Sequence, residues 1–368
     1  MRNDAPYTHE VTAPSSFHDE PRHAIVGRRL VTIGRDVALL VLASAAMPVL
    51  AGGAALVDLV RAVAARRPWM AIRLLAFGWV FLAVEVVGLL WFLAGWVASG
   101  FGRQREKLVA AAWPTQRWWA RTLFAAAQRI FAITLEIEGA ETARPGPIIA
   151  MFRHASIVDN LLPAVLLTDG QDMRLRWVIK KELLAVPALD VGGTRLPNHF
   201  VERASTDPRD EIRKIRALAK GLEEDEGVLI YPEGTRFTEW RRKRAVAGLA
   251  SRPALQERAR RFRHVLPPRI GGPLALLDTG YDVVFCAHSG LDGFATIGDV
   301  WSGGIVGAKV RAEMWRVPAG SIPKTRTERI SWLFDQWDQV DGWVAAATER
   351  AGRLTPPRAS RPPTPSSP

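Results

Sequence analysis

From Val37 to Val57 the chain carries no charged residue, and from Leu74 to Val97 the only one is Glu85. At helical rise the first run is about 31 Å long, close to the hydrocarbon thickness of a bilayer at about 30 Å. A pair of such runs, so close together, leaves few folds open. Either both are buried in a large core or they form a helical hairpin in a membrane. Their length and lack of a polar face favour the hairpin. Pro48 and Gly52-Gly53 weaken the first helix but are tolerated in lipid. Trp69, Trp79, Trp91 and Trp96 lie in or beside the second run, and the chain has 14 Trp against 3 Tyr. Trp suits surfaces that are apolar on one edge and wet on the other.

The basic residues flanking the runs set orientation weakly. Arg22, Arg28, Arg29 and Arg35 precede the first; Arg61, Arg66, Arg67 and Arg73 fall around the loop; Arg103, Arg105 and Lys107 follow. The outer flanks outnumber the loop, which favours both termini inside; an Arg-rich loop also fits a re-entrant hairpin in one leaflet. Glu85 is either a polar contact that reaches the catalytic part or a residue that only fixes hairpin packing.

The remaining chain has a different texture. Trp119, Leu123, Ala126 and Ile130 recur at helical spacing with Arg117, Arg121 and Arg129 between them, the pattern of an interfacial amphipathic helix or of the first helix of a soluble domain. From Leu135 onward short apolar runs alternate with helical segments. Leu135–Ile137, Ile148–Phe152, Arg176–Ile179, Val228–Tyr231 and Val283–Ala287 read as strands; Asp159–Leu167, Asp210–Leu222 and Pro273–Leu277 read as helical. That alternation predicts an α/β domain. The expected organisation is a disordered tail over 1–26, a transmembrane hairpin over 27–100, an amphipathic linker helix over 101–134, a catalytic domain over 135–350 and a second disordered tail over 351–368.

The single cysteine, Cys286, excludes a disulfide framework and any Cys-rich metal site. The net charge of +12 favours an anionic partner. No cluster of ligands asks for a metal, and no nucleic-acid motif is present.

Four segments carry chemistry. His154 follows the apolar run ending at Phe152, and Asp159 lies five residues on, with Ser156 between them as a candidate N-cap. In a straight helix residues five apart do not meet, but at a strand-to-helix turn they can. The carboxylate would then orient one imidazole nitrogen and leave the other to take a proton from a hydroxyl. The plainer reading is a Ser-x-x-Asp capping box beside an ordinary histidine. Glu233-Gly234-Thr235-Arg236 follows a second apolar run: Gly allows close approach, Thr offers a hydroxyl and Arg offers a fork that matches phosphate. It also reads as a simple turn. Phe200 and Arg203 come after Lys180-Lys181-Glu182-Leu183; Arg203 is a second candidate phosphate ligand or a surface arginine paired with Glu202 or Asp207. His264 to Gly272 reads as a short strand closed by a Pro-rich turn.

In this order the four blocks resemble the glycerolipid acyltransferase family, the 1-acylglycerol-3-phosphate acyltransferases and their relatives. His154…Asp159 matches HxxxxD, Glu233 to Arg236 matches EGTR, Lys180 to Leu183 matches KKEL, Phe200 with Arg203 matches FxxR, and Val265 to Arg269 resembles the proline-containing fourth block. The EGTRF and LPPRxGG forms resemble the lysophosphatidate and lysocardiolipin acyltransferase branch. The resemblance implies a central mixed sheet flanked by helices. It implies transfer of a fatty acyl chain from acyl-CoA or acyl carrier protein to the free hydroxyl of 1-acylglycerol 3-phosphate, giving phosphatidate, without cofactor or metal. His154 would be the base and Asp159 its orienting partner. Arg203 and Arg236 would hold the acceptor phosphate, Gly234 and Thr235 would shape the pocket, and Glu233 would support the arginines or the loop. The expected location is a cell membrane, multi-pass, with the catalytic domain cytoplasmic. Where block two often has Asp or a basic residue before its Arg, this chain has Glu202. The basic run from Arg241 to Arg263 would rest on anionic lipid or face CoA phosphates. The alternatives are another lysophospholipid or glycolipid acceptor and, from a different class, a membrane-tethered binder of anionic lipid or nucleic acid.

Overall fold

The computed structural model describes residues 20–201 and 207–354. Three helices open it: α1 (Arg22–Ala45), α2 (Met47–Ala65) and α3 (Ala71–Ala98). Thus Arg22 to Val26, expected in a tail, are helical. The first apolar run is not one helix either; it breaks at Ala46. Pro48 has no N–H to continue the ladder of α1, so α2 restarts with proline in its first turn. Both α2 and α3 are long and apolar enough to cross a membrane. Buried Asp58 on α2 binds them together by accepting from the free N–H groups of Met70, Ala71 and Ile72 at the start of α3, at 2.8, 2.8 and 2.9 Å.

Helix α4 (Arg105–Phe131) returns antiparallel along α3. The contacts follow the whole length: Phe77 meets Phe131 with ring centroids 5.6 Å apart, Trp91 stacks on Trp118 at 4.9 Å, and a Cβ on Gly95 would come within 2.9 Å of Ala111 Cβ. The inner face of α4 (Ala112, Trp119, Leu123, Phe124 and Ala127) is buried. Its apolar stripe is spent on α3 and the domain core, so α4 is the first helix of the domain rather than a free interfacial linker.

The domain is built on seven strands: β1 (Thr134–Glu138), β2 (Ile148–Phe152), β3 (Arg174–Lys180), β4 (His199–Val201), β5 (Glu226–Ile230), β6 (Asp282–Ser289) and β7 (Lys309–Val317). They form one mixed sheet in the order β1-β7-β6-β2-β5-β3-β4. The five strands from β6 to β4 are parallel, and β7 runs antiparallel to β6. The central strand β2 alternates faces. Ile148, Ala150 and Phe152 join a core with α4 and the segment after β2, while Ile149 and Met151 join a core on the other face. That second core packs α6 (Pro208–Leu218), α8 (Pro253–Arg261), α9 (Gly271–Leu277) and α11 (Arg326–Leu354). Shorter helices are α5 (Pro187–Val191), α7 (Glu239–Ala247) and α10 (Ile297–Trp301).

The segment Asp159–Leu167 is not one helix. It is a 3₁₀ turn at Asp159–Leu161 followed by a π-helical turn at Ala164–Asp169, parted at Pro163, which cannot donate. His264 to Gly272 holds no strand; it is extended chain running into α9. Helix α11 runs to Leu354, into the expected C-terminal tail.

The hairpin is docked, not tethered. A Cβ on Gly192 would lie 2.1 Å from Phe92 of α3, whose ring fills that notch, and Arg195 donates to Phe92 O at 2.7 Å. Buried Asp190 on α5 pairs with Arg28 at 2.9 Å and Arg29 at 3.0 Å from α1. Arg61 donates to Trp301 O at 2.7 Å and lies 3.9 Å over its ring. Among the exposed large apolar residues are Leu30, Val31, Leu42, Val49, Val63, Leu90 and Val97, all on α1 to α3. An exposed apolar surface of this kind marks a place where a membrane or another protein is met.

Candidate active site

The crossover leaving β2 packs on one face of the sheet, and the segment leaving the adjacent β5 packs on the other. Between two such strands the loops part at their C-terminal ends and leave a crevice. His154 lies just past the end of β2, and Tyr231 to Arg236 just past the end of β5.

His154 Nδ1 lies 2.9 Å from Asp159 Oδ1. The other carboxylate oxygen, Oδ2, accepts from the backbone N–H of Ala155 at 2.6 Å and Ser156 at 2.7 Å. The two readings of this segment therefore coexist: one oxygen holds the imidazole and the other holds the turn. Ser156 does not cap across three residues; its hydroxyl accepts from Val158 N at 3.0 Å and donates to Phe294 O at 3.2 Å. Asp159 is fully buried. Burial alone would raise its pKa, but the His154 ring, neighbouring His288 and the Ser156 N–H outweigh it and hold the carboxyl below its ordinary range. Nδ1 is engaged by Asp159, which leaves Nε2 as the ring nitrogen for a substrate, and His154 is among the residues lining the cleft.

Glu233 lies behind the cleft. It is 2 % exposed; Oε1 accepts from His154 N and Oε2 from Leu266 N, both at 2.8 Å. It ties the loops after β2 and β5 to the Pro-rich segment and is not among the residues that line the cleft. Burial pushes its carboxyl up to about 8, against the charge of Arg153 and the two N–H donors. Gly234 has φ +67°, and a Cβ there would meet Arg269 Nε at 2.6 Å. Gly234, Thr235 and Arg236 all line the cleft, with Arg241, Arg269 and Lys180 near them in the lining. Arg203 lies outside the described residues; Phe200 is buried on β4.

The cleft has a volume of about 720 Å³. Gln116, Arg117, Asn160, Thr168, Glu182 and Glu211 also line it, and apolar wall comes from Trp113, Trp119 and Ala120 of α4, Leu161 and Ala164 after β2, and Trp177 of β3. Such a mixture suits a ligand with an anionic head and a hydrocarbon tail.

Arg153 and His288, both at the site, gave no sequence signal. Buried Arg153 pairs with Asp292 and donates to His264 O at 2.7 Å and His288 O at 2.6 Å. Fully buried His288 has Nε2 3.0 Å from Arg153 O and 3.5 Å from Asp159 Oδ2, and burial pulls its pKa down. Tyr231 packs on the His154 ring with centroids 4.4 Å apart. Arg269 could have been weighed as a ligand, since it belongs to a recognised block. Of the basic run, Arg241 lines the cleft. Arg242 and Arg260 pair with Glu239 and Glu257 on their own helices, and Arg258 pairs with Asp335 and Asp338 of α11. Among the described residues no group of His, Cys, Asp and Glu is arranged to hold a metal ion.

Residues 134–267 match the Acyltransferase family model. Among solved structures the chain is similar to the 1-acyl-sn-glycerophosphate (LPA) acyltransferase PlsC from Thermotoga maritima, at 17% identity and a TM-score of 0.47, over 78% of this chain and 100% of that one. No curated protein matches. The matched stretch spans β1 to β5 and contains both His154…Asp159 and Glu233 to Arg236, so this part of the chain is an acyltransferase-type domain.

Proposed function

We propose that the protein transfers a fatty acyl chain from acyl-CoA or acyl carrier protein to the free hydroxyl of 1-acylglycerol 3-phosphate, giving phosphatidate. The observation that carries this reading is the His154–Asp159 pair, 2.9 Å apart, at a cleft whose lining includes both arginines and large apolar side chains. Asp159 fixes the imidazole so that Nε2 takes the proton of the acceptor hydroxyl. The acceptor oxygen attacks the thioester carbonyl, the carbon–sulfur bond breaks, and the proton passes from His154 to the departing thiolate. No covalent enzyme intermediate is needed. Arg236 and Arg269 supply planar donors for a phosphomonoester, which forks hold better than point charges. Arg203 completes this set in the family motif.

The anchor shapes the substrate class. From Phe77 to Gly95, about 27 Å of α3 lies along α4. Helix α4 carries Arg117, paired with Asp169 at 3.2 Å, and exposed Arg121. An α3 that crossed the bilayer would drag these charges to its middle, at a cost of several kcal/mol. We therefore read the hairpin as inserted into one leaflet, from the side of the catalytic domain, with the cleft beside the lipid.

The test is acyl transfer by the detergent-solubilised protein from oleoyl-CoA, with acyl carrier protein as second donor, to a panel of lysophospholipids. Strict dependence on a terminal phosphomonoester is expected. Turnover of acceptors with larger headgroups, but not of lysophosphatidate, would replace the substrate and keep the mechanism.

A further inference from the structure

Trp119 separates the apolar part of the cleft from the membrane helix behind it. One facet of its ring lines the cleft, yet the residue is only 8 % exposed. The rest packs in a core shared by α3, α4 and α5, with Val84, Ala164 and Ala188. Behind the ring lies Gly88 of α3, where a Cβ would sit 3.6 Å from Trp119 Cδ1. The indole is held in place by Glu85, also on α3: Trp119 Nε1 donates to Glu85 Oε1 at 2.6 Å. The other oxygen of Glu85 accepts from Ala188 N at 2.9 Å, at the start of α5, and the next residue, Leu189, lines the cleft. One fully buried carboxylate on an otherwise apolar helix thus fixes two parts of the cleft wall. Neither group takes part in the proton transfer.

We propose that Trp119 is the residue that limits how far the acyl chain reaches, and that Glu85 is its positioning residue, so that the membrane hairpin sets acyl-chain specificity. This rests on the acyltransferase reading above and deepens it. A carboxylate is expensive among apolar helices unless each oxygen has a donor. Here the donors are an indole N–H and a backbone N–H of the cleft wall. Removing the indole opens the apolar arm toward Gly88, and each added pair of methylenes that finds room there is worth about tenfold in kcat/KM.

The experiment measures kcat and KM for a series of acyl-CoAs rising by two carbons, with a matching acyl carrier protein series, on wild type, Trp119→Ala, Trp119→Phe, Glu85→Gln and Ala164→Phe. No acyl transfer by wild type would defeat the function and this inference with it. With wild type active, Trp119→Ala is expected to raise the ratio of kcat/KM for a longer over the preferred chain about tenfold, mostly through KM. Trp119→Phe and Glu85→Gln should move the same ratio a few-fold in the same direction, because a ring no longer held by the carboxylate can swing aside. Ala164→Phe adds bulk to the cleft lining beside Trp119 and should shift preference to shorter chains; it remains informative if the larger truncation fails to fold. Active variants of Trp119 and Ala164 with chain-length ratios within twofold of wild type would overturn the proposal. So would a uniform loss of kcat at every length.

Discussion

Asp159 holds His154 with one oxygen and the backbone of its own turn with the other. One substitution separates the two jobs. In Asp159→Asn the amide oxygen can still take the Ala155 and Ser156 N–H groups, but the NH₂ then faces Nδ1 and selects the wrong tautomer. We expect kcat to fall about 10³–10⁴-fold with little change in KM or in melting temperature. Steady-state kinetics beside a thermal melt checks this; a kcat within tenfold of wild type would remove Asp159 from the mechanism.

Glu233 is predicted to matter as a strut. Glu233→Gln leaves an NH₂ group facing the N–H of either His154 or Leu266. A buried donor without an acceptor costs about 1–3 kcal/mol. Urea unfolding should show that loss, and the activity that survives should keep wild-type KM for the acceptor. A raised KM with unchanged stability would make Glu233 a substrate ligand instead.

Arg236 and Arg269 are predicted to act on the acceptor head. Either substitution to Ala should raise KM for lysophosphatidate about 10- to 100-fold, with a smaller effect on kcat. Lys at either position should recover only part of the loss, since it lacks the fork. An unchanged KM for both would place the phosphate elsewhere in the cleft.

The stability of the domain should peak between mildly acid and mildly alkaline pH. His288 is buried with a lowered pKa, so its contribution is complete above the unfolded value of about 6.5 and is lost as pH falls. Asp159, also lowered, adds its own loss at lower pH, beginning near the unfolded value of about 3.9. Glu233 works in the other sense. Its pKa of about 8 lies above the unfolded value, so its contribution is complete below about 4.3 and is lost as pH rises through 8. Melting temperature against pH should flatten on the acid side in His288→Gln and on the alkaline side in Glu233→Gln. Parallel curves for all three proteins would contradict these assignments.

The lone thiol offers a clean test of the anchor. Cys286 is fully buried on β6, so the native protein should not label. A hairpin held in one leaflet puts its loop on the side of the catalytic domain. Arg67→Cys and Lys243→Cys should then label from the same side of sealed vesicles. Labelling from opposite sides would restore two full spans.

Much of this was legible in the sequence where one short pattern carries the meaning. The strand Ile148–Phe152 has matching predicted and observed ends because it is an uninterrupted buried run. The edge strand β4 was missed: three residues show no period. Strand β7 was missed because Lys309 to Val317 alternates charged and apolar residues, which weakens any apolar run. The break at Ala46 was visible in Pro48, but its absence of charge made the run look continuous. At the site, His154, Asp159, Gly234, Thr235 and Arg236 were found through local spacing and motif. Arg153, His288 and Asp292 were not, because their roles come from neighbours more than 100 residues away. The same holds for Glu85, whose two partners lie on α4 and α5.

The most direct measurement is the rate of phosphatidate formation from lysophosphatidate and an acyl thioester by wild type and by His154→Ala, matched for folding by their melting curves. Loss of the general base should lower the rate by about 10²–10⁴-fold while acceptor binding is kept. Phosphatidate formed at a comparable rate by both proteins would contradict the mechanism at its centre.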